Sequence, residues 1–205
     1  MTIPASGPRR KDAIATRERL VRAGLDLFTT QGYRGTTTLE IAARARIAEA
    51  TIYRHFVGKE ALFNEAYRLA LRWGIGIFKL GEGERGLAPR DRFARIARAV
   101  VDQVPRDPAL VTMLLRRPDG ATLEDVTVQL GREFRDLLVQ AVAAGKQVGA
   151  IRPGSADLWA SVWLALLAFV VERVAAREWS ADHPSVAATM DAAWAAISYR
   201  GAEPG

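Results

Sequence analysis

No cysteine occurs in the 205 residues, and only two histidines do. That removes disulfides, thiol catalysis, iron–sulfur clusters and every Cys/His zinc site, leaving carboxylates as the only metal ligands in number. Paired carboxylates at an acid–base spacing and a serine in a nucleophile turn are missing as well. No catalytic residue, metal or cofactor is therefore expected. Long apolar runs are scarce too. The longest, Leu158 to Val171, has fourteen residues between Asp157 and Glu172, whereas crossing a bilayer takes about 20 residues of helix. A buried helix with no membrane partner is the expectation. The opening residues MTIPASGPRRKD are basic but lead into no apolar stretch, unlike a secretory signal, which makes the cytoplasm the expected location.

What is present is a chain with 49% hydrophobic residues, enough to bury a core. Its net charge of +6 is distributed unevenly, because residues 1–56 alone carry +5. A basic first quarter suits a segment that meets a polyanion, and it also suits a plain solvated face.

The patterning is helical throughout and no segment reads as a strand, so the fold class is all-α. Residues 1–10, rich in proline and glycine, read as a disordered basic arm. From Lys11 the stripe Leu20, Gly24, Leu27 and Phe28 marks a first helix, which Gln31-Gly32-Tyr33-Arg34-Gly35 stops. Thr37 and Glu40 then form a capping box for a helix of about two turns, with Leu39, Ile41, Ala42 and Ala45 as its apolar face. Arg46-Ile47-Ala48 leads into a third helix, Glu49 to Phe56, with Ile52 and Phe56 on its anchoring side and Thr51, Tyr53 and Arg54 on the other. Two such short helices do not hold alone in water and must pack on the first. A long helix followed by two short ones across a tight turn is the helix-turn-helix arrangement. Further helices are expected over about 60–78, 91–104, 109–115, 123–148, 156–177 and 185–199.

The segment around Tyr53 and His55 admits three readings: the surface of a core helix, an acid–base pair, or a recognition helix. An acid–base pair lacks partners, and the capped helix and turn ahead of it favour recognition of a DNA major groove. Residues 17–63 resemble the DNA-binding domain of the TetR family of bacterial regulators. The resemblance is carried by Leu20, Ala23, Leu27, Phe28, Gly32 and Tyr33, by TTTLEIA at 36–42, by TIYRHF at 51–56 and by KEALF at 59–63. It covers about a quarter of the chain. It implies an N-terminal three-helix DNA-binding domain (11–60) and a larger helical effector-binding and dimerisation domain (61–205). It further implies phosphate contacts from Thr38, Thr51, Tyr53, His55 and Lys59, with Glu49, Ala50, Tyr53 and Arg54 nearest the base edges. In chemical terms, Arg54 suits guanine and Glu49 suits cytosine N4; equally, Glu49 suits a helix N-terminus and Arg54 a phosphate. Two positions depart from the family pattern. Arg46 stands where glycine is usual in the turn, and Ala48 where a Ser or Thr cap is usual.

In the larger part, Leu158, Val162, Ala165 and Phe169 form a second apolar side on a helix whose other side carries Trp163. A helix apolar all round needs cover on every side, which suggests a second copy of the chain. Val186, Met190, Ala193 and Ile197 on the last helix are expected to join Leu158, Val162, Ala165 and Phe169 in that homodimer interface, as the resemblance also implies. Candidates for an effector pocket are Phe63, Trp73, Phe93, Met113, Phe134 and Trp163. The expected function is a homodimeric repressor released from an inverted-repeat DNA operator by a small molecule. A regulator that activates or takes no ligand is an alternative, and so is nucleotide binding by Gly81-Glu82-Gly83-Glu84-Arg85-Gly86.

Overall fold

The structure, a computed structural model, describes residues 8–82, 86–116 and 120–199. They form α1 (Pro8–Gly35), α2 (Thr38–Ala45), a short 3₁₀ helix (Glu49–Arg54), α3 (Lys59–Glu82), α4 (Pro89–Gln103), α5 (Pro108–Leu115), α6 (Asp125–Gln147), α7 (Ala156–Ala175) and α8 (Pro184–Ile197). Among the described residues no strand occurs, only an isolated bridge between Ile151 and Ser198. The all-α expectation therefore holds.

The chain divides into two compact units. One runs to Leu69 and takes in the segment that ends at Thr127; the other comprises Ala70–Arg116 and everything from Val128 onward. The first unit thus extends beyond residue 60 and recruits a stretch that lies far off in sequence. Its α1 starts at Pro8, so residues 8–10 are helical and not part of an irregular arm, while 1–7 lie outside the described residues. Gly32, at φ 77° and ψ 167°, breaks the helical path near the end of α1. Only glycine takes that conformation at little cost.

Inside this unit α1 packs on α2, and α2 on the 3₁₀ helix. Leu20, Leu25, Ile41, Ile52 and Leu62 are fully buried. An edge-to-face aromatic group adds Phe63 against both Phe28 (5.1 Å) and Tyr33 (5.2 Å). Phe63 is thereby core of the first unit, and its candidacy for an effector pocket in the larger unit is withdrawn. The α3 residues Glu60, Asn64 and Arg68, one turn apart, fasten the distant segment. Glu60 accepts from the Thr122 N–H, buried Asn64 bonds the Thr122 carbonyl and the Glu124 N–H, and Arg68 donates to Glu124 and Thr127.

Glu65 binds both Arg17 of α1 and Arg68 at 2.9 Å. Burial pushes its carboxyl up, but the hydrogen bonds and charges of the two arginines outweigh that and bring it down to about 2 from 4.5. A depressed acid stabilises the fold fully above its unfolded pKa and loses that contribution as pH falls through the folded one. The Glu65 contribution is thus expected to vanish between about pH 4.5 and pH 2. Urea unfolding followed across that range should show Glu65→Gln losing less stability on acidification than the parent chain.

In the second unit α7 packs on α8, α5 and α4. Ser155 caps α7 and Asp107 caps α5 through the backbone N–H three residues on, satisfying otherwise orphaned donors. Trp163 meets Phe93 edge to face at 4.9 Å, and Phe78 meets Phe134 at 5.8 Å. Arg152 donates to the Ala195 and Ser198 carbonyls and thereby closes the end of α8. At 20 residues α7 is long and apolar enough to cross a membrane by composition alone, yet only a third of its most apolar window is buried. Its Trp163, Leu167, Val170 and Val171 lie in the core, which leaves the opposite side uncovered.

Candidate nucleic-acid interface

The turn after α2 is built as the sequence suggests, with one residue in an unusual conformation. The capping box is complete: the Glu40 N–H donates to the Thr37 hydroxyl at 3.2 Å and the Glu40 carboxylate accepts the Thr37 N–H at 2.8 Å. At the other end Arg46 is left-handed, at φ 56° and ψ 51°. The Ile47 N–H reaches the Ala42 carbonyl and the Arg46 N–H the Ala43 carbonyl, the double bond pattern of a Schellman closure. A non-glycine residue held there costs about 1 kcal/mol. Arg46→Gly is expected to raise the thermal midpoint accordingly, as differential scanning fluorimetry would show; an unchanged or lower midpoint would contradict the strain.

Of the face expected on α2, Ile41, Ala42 and Ala45 are buried, but Leu39 is 63% exposed. Two residues ahead of Ile41 on a helix is a rotation of roughly 200°, which carries Leu39 to the far side.

The third helix is wound more tightly than expected. Residues Glu49–Arg54 are 3₁₀, with the Thr51 N–H bonded to the Ala48 carbonyl. Ala48 supplies no side-chain cap. At three residues per turn, Glu49, Ile52 and His55 share one side, and Ala50 shares another with Tyr53. Accordingly Ile52 is fully buried while Glu49 and His55 are half-buried, and Ala50, Tyr53 and Arg54 are exposed. Burying Ile52 contributes about 1.5–3 kcal/mol to anchoring a segment too short to persist alone. Phe56 is buried as well, with the Arg17 guanidinium 4.8 Å from its ring centre.

The expected phosphate ligands are placed unequally. Tyr53 is 59% exposed and Thr51 half-buried beside it. Lys59, at the start of α3, donates to the Tyr33 and Thr36 carbonyls, both at 2.9 Å, and lies 4.3 Å from the Tyr33 ring centre. Two of its three protons thus hold the end of α1, and one remains for a phosphate. Thr38 differs from the expectation, because its hydroxyl donates to Glu49 Oε1 at 2.6 Å. That proton is committed within the protein. Arg46 and Arg54 are exposed and have no ion-pair partner among the described residues.

The exposure of Leu39 and Val57, which flank the third helix, went unrecognised in the sequence, the latter being 96% exposed immediately after Phe56.

In the second unit Phe134 and Trp163 line an apolar crevice with Gly74, Phe78, Val100 and Leu167. Its volume of about 10 Å³ is close to that of one water probe. Phe93 and Met113 are buried nearby in the same unit, and Trp73 is half-buried. On α7, Leu158 and Phe169 are 51% and 39% exposed; Ala165 is exposed and Val162 half-buried. On α8 the expected interface stripe is corrected. Val186, Ala193 and Ile197 are buried within the chain itself and Met190 is half-buried, whereas Ala187, Ala188, Asp191 and Ala192 face outward. Three of those four outward positions are alanines. As for the glycine-rich loop, residues 83–85 lie outside the described residues. The stretch 75–80 before it is helix, where the dinucleotide motif requires a strand.

Residues 20–66 match the family described as "Bacterial regulatory proteins, tetR family". The chain is 26% identical over 155 residues to the uncharacterized HTH-type transcriptional regulator YvkB of Bacillus subtilis (strain 168), covering 74% of this chain and 79% of that one. It is 41% identical over 54 residues to the HTH-type transcriptional regulator TcmR of Streptomyces glaucescens, covering 26% and 24%. A crystal structure of a TetR family transcription regulator from Marinobacter aquaeolei VT8 superposes with a TM-score of 0.74 at 20% identity, covering 94% of this chain and 100% of that one.

Proposed function

We propose that this chain, a TetR-family helix-turn-helix regulator, acts as a homodimeric repressor that reads an inverted-repeat operator and leaves it when a small molecule binds. The observation that carries the reading is the division of the 3₁₀ helix. Buried Ile52 and Phe56 hold it, and Ala50, Tyr53 and Arg54 stand free on one exposed surface. A side chain that forks two N–H groups outward from such a segment suits a guanine edge in the major groove.

The uncovered apolar side of α7 supports the dimer. Leu158, Val162, Ala165 and Phe169 follow one another along the helix, and the outward alanines of α8 allow a second pair of helices to approach closely. A two-fold axis there makes a self-complementary interface and turns the operator into an inverted repeat.

An effector would enter among α3, α4, α5, α6 and α7, around Phe134 and Trp163. The crevice there admits little more than a water, so binding has to part those helices. A ligand that does so shifts the protein toward the parted state by its difference in affinity for the two.

Selection of bound duplexes from a random DNA library tests the reading. Enrichment of an inverted repeat, with affinity that falls steeply as salt rises, is the expected result. Recovery of unenriched duplexes would overturn it. Once an operator is in hand, release by compounds from a small-molecule library distinguishes a ligand-controlled repressor from one that takes no ligand.

A further inference from the structure

We infer that Thr38 is a positioning residue for base specificity: its hydroxyl holds the Glu49 carboxylate at the mouth of the reading surface, where the carboxylate selects cytosine. The inference rests on the DNA-reading role proposed above.

The geometry carries it. The Thr38 Oγ1 to Glu49 Oε1 bond is 2.6 Å across eleven residues, and both side chains are half-buried. It joins the first turn of α2 to the first residue of the 3₁₀ helix. No ion pair neutralises Glu49 among the described residues. A carboxylate is acceptor-only, and with Oε1 taken by the hydroxyl, Oε2 keeps its lone pairs for an outside donor. The hydroxyl has one proton, so while it serves Glu49 it cannot also donate to a phosphate.

An unneutralised carboxylate on a surface that meets a polyanion is repelled unless the DNA offers it N–H groups. In the major groove cytosine N4 does so without an acceptor of its own; adenine N6 donates too but sets its N7 acceptor beside it, and guanine O6 and N7 and thymine O4 present only acceptors. Glu49 thus excludes as well as selects. The tight winding of the segment is what brings this about, because it sets Glu49 in the column of buried Ile52, against α2, and not in the open column of Ala50 and Tyr53. A free glutamate would swing among rotamers and blur its discrimination; the Thr38 bond removes that freedom.

The test is duplex selection and salt-dependent affinity for the full chain and for Thr38→Val, Thr38→Ser and Glu49→Gln. Thr38→Val keeps the branched shape and loses the proton. It should flatten a cytosine preference of about tenfold at one position per half-site while the salt slope stays unchanged. Thr38→Ser should restore the preference. Glu49→Gln should move it toward adenine, which an amide reads with both its donor and its acceptor; this variant keeps the threonine and so stands independently if Thr38→Val folds poorly. If Thr38→Val instead weakens binding to every sequence alike and lowers the salt slope by about 0.9 per subunit, as loss of one phosphate contact does, Thr38 is a phosphate ligand and the inference fails. A Glu49→Gln chain with the parent's base preference overturns it too. Failure of the parent chain to enrich any repeat brings down the DNA-reading role itself, and this inference with it.

Discussion

Ala165→Glu is expected to leave each subunit folded and to break the dimer. Ala165 lies exposed in the middle of the α7 side made by Leu158, Val162 and Phe169, so a glutamate there meets water in the monomer. It is also a good helix former, so α7 itself loses little. Across a two-fold axis the same substitution appears twice, and two like carboxylates without partners are buried in one interface. An uncompensated buried charge costs about 3–5 kcal/mol, which weakens association by more than about a hundredfold. Sedimentation should therefore give the mass of one chain at concentrations where the parent gives two. Operator affinity should collapse with it, since each half-site then binds alone. Retention of the dimer would mean that another surface makes it.

The second large effect is expected at Arg54. Replacing it by alanine removes a side chain that is exposed and without an ion-pair partner among the described residues. The fold should be untouched. Loss of a bidentate guanine contact costs about 1–3 kcal/mol per half-site. Both half-sites lose it in a dimer, so operator affinity should fall by roughly 2–6 kcal/mol in total. The sign that a base is read is relaxed preference at one position per half-site with an unchanged salt slope. A uniform loss over all sequences, with a shallower slope, would assign Arg54 to a phosphate.

Much of the fold was legible because the local signals agree with the tertiary packing. The Thr37–Glu40 box and the Gly32 stop each mark an end that the structure keeps. Periodicity placed Ile52 and Phe56 inward and Tyr53 and Arg54 outward, correctly. Leu39 and α8 show where periodicity misleads. A stripe of large apolar residues is read as a face, but it does not say whether that face meets the subunit's own core or a partner. On α8 it met the core.

The remaining gaps belong to contacts between distant residues. Nothing in the sequence announced that Thr38 would spend its proton on Glu49, or that Lys59 would hold the end of α1. Both depend on how α2, the turn and the third helix come together, and on the left-handed Arg46 that sets the angle between them. The join of Glu60, Asn64 and Arg68 to the segment at 120–127 spans about sixty residues. Such long-range pairs leave no periodic trace.

The most direct test of a two-fold DNA reader is affinity as a function of the distance between half-sites. With the selected operator as reference, inserting five base pairs at its centre turns one half-site by about half a turn of the duplex. The account predicts that binding drops to that of a single half-site, and that a ten-pair insertion does not behave like the five-pair one. Equal affinity for all three duplexes would contradict a rigid two-fold pair of reading helices.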